Sequence, residues 1–174
     1  EYVFFFDADD LLEPEALSTM YDTISEKHSD LLIGKYDIFN RHTTIEIHNL
    51  DNLIELEEID KYNTDILWTF SLSNKLFRRS LIEKHHLRLP PISYSEDGAF
   101  LTQFLYRCSK IVGLDYIIFH YRRYDDMDSI TASISPSKIK DYITAHQMIL
   151  HSAEESFLRD YPEYSSIDDA REQN

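Results

Sequence analysis

The chain's 174 residues suit one domain of ordinary size, and with 43% hydrophobic residues it can bury a core without disulfides or a structural metal. Seventeen Lys and Arg against 32 Asp and Glu leave a net charge of −15, which repels polyphosphate backbones and anionic lipid over most of the surface and argues against a nucleic-acid partner. The single cysteine, Cys108, cannot make an intrachain disulfide and reads as a buried thiol of a reducing compartment; no signal sequence or run of about 18 apolar residues occurs, so a soluble, cytoplasmic protein is expected.

Residues 2–6, Tyr-Val-Phe-Phe-Phe, predict a fully buried strand, and because such a strand seldom stands at a natural terminus, further chain is expected before it. Pro14 suits a first helical turn, and Leu17, Met20, Tyr21 and Ile24 continue a helix to about His28. Residues 31–34 and 36–39 predict a strand, and 44–48 a shorter alternating one. A short acidic helix is expected over 51–62, then a strand at 74–77 running into a helix over 79–85. Ser95 is placed to cap a helix whose buried face is Phe100, Leu101, Phe104, Leu105 and Cys108. Two strands follow at 111–114 and 116–121, then a polar loop over 122–131. Ser135-Pro136 opens a long amphipathic helix with Ile139, Tyr142, Ile143, Ile149, Leu150, Ala153 and Phe157 on one face, and beyond Pro162 the tail is acidic.

Three groups of residues carry chemistry. Asp7-Ala8-Asp9-Asp10 sets three carboxylates directly after an apolar strand, a crowding that a hard divalent cation such as Mg²⁺ or Mn²⁺ relieves; an acidic turn leading into the next helix is the competing explanation. Glu96-Asp97-Gly98 is a second acidic junction, either a general base brought near the first group or plain first-turn helix charge. His120-Tyr121-Arg122-Arg123, with Ser129 and Thr131 beyond, offers cationic and hydroxyl donors for a diphosphate, or else solvated arginines on an edge strand.

The order of these groups, with Asn74-Lys75-Leu76-Phe77 between them, resembles the family 2 glycosyltransferases of the GT-A fold over roughly residues 1–135. The resemblance implies an α/β fold: a partial GT-A (Rossmann-like) mixed sheet flanked by helices. Residues 1–135 would be the catalytic C-terminal part of the domain and 136–174 an amphipathic helix with an acidic tail. It further implies a metal-dependent, inverting transfer of a sugar from a nucleotide diphosphate-sugar donor to a saccharide or other hydroxyl acceptor, in cell-surface polysaccharide or glycoconjugate synthesis. By the same resemblance Asp9, helped by Asp10, is the metal ligand (Mn or Mg). Asp7, Arg122, Arg123 and Ser129 contact the donor, and Asp97 is the base with Glu96 orienting it or binding acceptor. The family's N-terminal portion, which makes most of the nucleobase contacts, does not occur in this sequence, so either a fragment of a longer protein or an active form that borrows that portion elsewhere is expected. Any peripheral membrane association would belong to those other parts.

Rival readings use the same acids. In a haloacid dehalogenase-type phosphatase Asp7 would be a phosphorylated nucleophile, although Leu11 stands where that family wants Thr or Val. An EF-hand-like calcium loop lacks its central Gly. A non-catalytic module of a larger transferase would keep the fold and drop the chemistry.

Overall fold

The computed structural model describes residues 1–40, 42–46, 50–123 and 135–172. Along the chain lie β1 (Tyr2–Phe4), β2 (Leu11–Leu12), α1 (Ala16–Glu26), β3 (Leu31–Phe39), β4 (Thr44–Glu46) and α2 (Asp51–Ile54). A 3₁₀ turn (Thr64–Trp68), β5 (Lys75–Arg78), α3 (Arg79–Lys84), α4 (Glu96–Leu105), β6 (Ile111–Arg122), α5 (Pro136–Asp160) and α6 (Ile167–Glu172) follow.

Period-two alternation along β3 decides the layering. Leu31 and Ile33 point into a core shared with Leu50, Leu53, Phe77 and the buried face of α4, whereas Leu32 points into a second core with Ala16, Met20 and Ile24 of α1. The six strands run β1-β5-β3-β6-β2, with β4 also paired to β3. β3 and β6 are parallel, while β5 is antiparallel to both β3 and β1. Therefore β1, β3 and β6 run the same way, and their C-terminal ends open on one side of the sheet together with the start of β5. In open α/β sheets that side is where ligands bind.

The mixed sheet, its flanking helices and the long C-terminal helix agree with the expected fold, and several local expectations change. β1 is half-buried and stands at the sheet edge rather than centrally, since β5 is its one partner among the described residues. The helix expected over 51–62 stops at Ile54; Ile59 N–H donates instead to Ile111 O (2.9 Å), so the start of β6 draws the chain out of helical geometry. The two strands expected over 111–121 are one strand, with the β3–β6 register shifting at Lys35. The polar loop expected over 122–131 lies outside the described residues from position 124 onward.

The seam of α5 also differs. The helix opens at Ser135-Pro136 as expected, and Ser135 caps it, its Oγ accepting from Lys138 N–H (3.3 Å), with Pro136 in the first turn. The buried positions, however, are Ala145, Ser152 and Ser156, small residues that let α5 lie close to α4, while Ile139, Tyr142, Ile143 and Leu150 are exposed. Polar contacts fasten it: Arg159 donates to Tyr106 O (2.6 Å), and Ser93 donates through backbone and hydroxyl to Asp141 (3.0 and 2.8 Å). Among the described residues no helix is long and apolar enough to cross a membrane.

Candidate active site

The acidic loop leaves the sheet directly after β1. Asp7 and Asp9 are exposed and Asp10 is buried, Asp10 N–H donating to Asp7 O (3.3 Å) across a tight turn. β2 then pairs with the far end of β6, setting Leu11 against His120. This register carries Arg122 to the loop: its backbone N–H donates to Asp10 Oδ1 (2.8 Å) and its Nε to Asp9 O (2.7 Å), while its guanidinium lies over the Phe39 ring (5.0 Å). Arg122 is thereby tied to the loop backbone, and Arg123 extends an exposed side chain from the same strand end. Ser129 lies outside the described residues.

Asp10 shows the strain of the arrangement. Burial pushes its carboxyl above 3.8, the Arg122 amide pulls it back, and the neighbouring charges of Asp9 and Asp7 push it up again. Its second oxygen, Oδ2, is buried without a hydrogen-bond partner. Among the described residues no three His, Cys, Asp or Glu side chains form a ready-made metal cage. Mg²⁺ and Mn²⁺ sites of the kind completed by substrate phosphates need only one or two carboxylates, so an orphaned Oδ2 beside exposed Asp9 fits such an ion.

The second acidic junction is brought to the first. α4 starts with Glu96 and Asp97, and Asp97 is pushed up from 3.8 to about 6 by its own burial, then by the charges of Glu96 and Asp7, with Lys75 opposing. Asp7 and Asp97, far apart in sequence, are therefore electrostatic neighbours. Ser95, expected to cap this helix through its side chain, makes no such bond: it adopts a left-handed conformation (φ 63°), which costs a non-glycine residue about 1 kcal/mol or more. Gly98 follows because a Cβ there would meet the Phe70 ring at 3.0 Å.

Two residues named within sequence motifs, Lys75 and His120, have surroundings that the sequence reading did not foresee. Lys75 is fully buried, and its Nζ donates to Asn74 Oδ1 (2.7 Å), Ser71 O (2.6 Å) and Thr69 O (3.2 Å). A period-two reading would have found it, since Lys75 shares a strand face with buried Phe77. His120 is held between Asp37 Oδ1 (2.6 Å) and Glu13 Oε1 (2.7 Å). Burial pulls this imidazole down, but the two carboxylates outweigh that and raise it above 6.5. No sequence signal pairs these three residues, because the β3–β6 register brings them together. An open cavity of about 420 Å³ lined by Glu13, Lys35, Asp115, Tyr116 and Ile117 includes none of Asp7, Asp9 or Asp97. Its Lys35 is already paired with Asp51 (3.1 Å) and Asp115 (2.7 Å).

The mixed sheet, the acidic loop after one strand and the second acidic helix start match the GT-A glycosyltransferase fold expected from the sequence, and solved structures share that fold. The crystal structure of S. aureus TarS 1-349 in complex with UDP superposes with a TM-score of 0.68 at 21% identity, covering 87% of this chain and 40% of that one. Residues 1–85 match the model of Glycosyl transferase family 2, a span that holds Asp7, Asp9, Asp10 and Lys75. The poly(ribitol-phosphate) beta-N-acetylglucosaminyltransferase TarP of Staphylococcus aureus (strain N315) is 35% identical over 108 residues, 60% of this chain and 32% of the relative. The poly(ribitol-phosphate) beta-glucosyltransferase of Bacillus spizizenii is 28% identical over 152 residues, 83% of this chain and 23% of the relative. The chain belongs to the family 2 glycosyltransferases, and it spans about a third or less of the length of these two relatives.

Proposed function

We propose that the protein to which this segment belongs is a metal-dependent, inverting glycosyltransferase that moves a sugar from a uridine diphosphate donor to a hydroxyl of a cell-surface polymer. What carries the reading is the meeting of two acidic groups on one side of the sheet, close enough that Asp7 raises the pKa of Asp97. A carboxylate at about 6 is half-poised near neutrality, where a general base is most effective. The UDP in a TarS complex supports the donor class, and the poly(ribitol-phosphate) named for two relatives supports a polyol-phosphate acceptor. The family match favours transfer over the phosphatase reading of the same loop.

In this reading Asp97 takes the acceptor proton as the hydroxyl attacks the anomeric carbon, and the diphosphate leaves from the opposite side, inverting that centre. Asp9 and the Oδ2 of Asp10 would hold Mg²⁺ or Mn²⁺, which when bound supplies Lewis-acid charge to the diphosphate. Exposed Asp7 contacts the donor sugar or ribose. Arg122 braces the loop, and Arg123 with Ser129 grips phosphate. Glu96 orients acceptor beside the base. The work is done in the cytoplasm, and any attachment to membrane resides in segments outside this sequence. Calorimetry of the full-length protein with UDP and Mn²⁺, paired with sugar transfer from a UDP-sugar, tests the reading. Metal-dependent UDP binding with transfer supports it, and UDP binding without transfer to any hydroxyl acceptor would make this a non-catalytic module.

A further inference from the structure

The segment between the 3₁₀ turn and β5 is wound around one side chain. Lys75 N–H donates to Leu72 O (3.1 Å) and Ser73 N–H to Ser71 Oγ (3.2 Å), so residues 69–75 curl until Thr69 O, Ser71 O and Asn74 Oδ1 all face Lys75 Nζ. Three oxygens around one nitrogen match the three donors of an ammonium, whereas a neutral amine would leave one oxygen unmatched. The cage is anchored to the middle of the sheet, because Asn74 Nδ2 donates to Gly34 O (2.8 Å) and Gly34 N–H returns a bond to Asn74 O (2.9 Å). At its other end the same coil presents the Phe70 ring to Gly98, the residue after Asp97.

An ammonium removed wholly from water is costly, and a methionine would fill the space without that cost. Burial indeed pulls the Lys75 amine down to about 7, with the charge of Asp97 pulling it back up. The groups facing Asp97 are then Glu96 and Asp7, which oppose its ionisation, and Lys75, which favours it.

We propose that Lys75 is a positioning residue for the acidic pair at the start of α4: its caged ammonium holds the 69–74 coil against Gly98 and sets a buried positive charge facing Asp97. The proposal rests on Asp97 being the base of the transfer reaction only for its kinetic consequence; the coil and the charge pairing stand without it.

Lys75→Met removes the charge at nearly constant volume. In the full-length enzyme this variant is expected to bind UDP with Mn²⁺ within about three-fold of wild type, since no donor contact is altered, while the acid limb of the transfer pH profile moves above about 6 and turnover at pH 6 falls about ten-fold or more. An unmoved limb with unchanged turnover would overturn the proposal. Where Lys75→Met fails to fold, nitrogen-detected titration of the Lys75 ammonium in wild type and in Asp97→Asn decides. The proposal requires the Lys75 midpoint to fall when Asp97 loses its charge, and an unmoved midpoint overturns it. An enzyme that shows this coupling but never transfers sugar would support the pairing while counting against the transferase reading.

Discussion

Two carboxylate-rich clusters of the molecule are built in opposite ways. Around His120, Asp37 and Glu13 each take one imidazole nitrogen, and together they outweigh burial and raise the imidazole above its ordinary value. Around Asp97, the carboxylates of Glu96 and Asp7 add to the cost of burial, and Lys75 offsets part of it. The first arrangement braces β3, β6 and the chain after β2 through satisfied bonds. The second keeps a carboxyl near neutrality at the expense of stability, a trade expected of a site shaped for chemistry. The left-handed Ser95 beside Asp97 belongs to the same pattern.

The sharpest way to break this contrast is at Asp97. In the full-length enzyme Asp97→Asn is expected to lower turnover by roughly 10²-fold to 10⁴-fold while UDP and Mn²⁺ still bind, as judged by a transfer assay beside calorimetry. Asp9→Ala should do the reverse at the binding step, weakening metal-dependent UDP binding by about ten-fold or more. Nucleotide binding by Asp9→Ala that stayed equally metal-dependent would remove the loop from the site.

Stability should separate the clusters next. A carboxyl raised from 3.8 to about 6 favours the protonated fold, so its contribution is lost as pH climbs through that window. Asp97→Asn should therefore stabilise the fold at pH 7, by up to about 3 kcal/mol in urea unfolding. His120 is also raised by folding, so the clamp's contribution is whole below 6.5 and fades as pH rises through the folded value. His120→Gln should thus destabilise the chain more at pH 6 than at pH 9, and a loss independent of pH would mean the clamp is not charged. The smallest effect belongs to Ser95→Gly, where relief of the left-handed conformation should be worth about 1 kcal/mol or less.

The parts legible from sequence were those set by local chemistry. The presence of α1 and α5, the Ser135-Pro136 start of α5 and the acids after β1 could be read directly, whereas Pro14 precedes α1 and Leu17 and Tyr21 of its expected stripe are exposed. What escaped depended on neighbours distant in sequence. The apolar run of β1 looks central, yet only pairing shows that it lies at an edge. The helix at Asp51 ends early because Ile59 bonds to Ile111, and the stripe from Ile139 to Leu150 looks like a core face although α5 packs through Ala145, Ser152 and Ser156. For the site, Asp7 and Asp97 were each visible, but their proximity was a product of the fold. Arg122 and Arg123 were indistinguishable until the β2–β6 register tied one of them to Asp9 and Asp10.

The claim on which the rest depends is that Asp7 and Asp97 share one site, and carbon-detected titration of the Asp97 carboxyl tests it without any need for activity. A midpoint of about 6 is expected in the wild-type chain and a lower one in Asp7→Asn, because one of the charges opposing ionisation is gone. A midpoint near 3.8 in both proteins would contradict it.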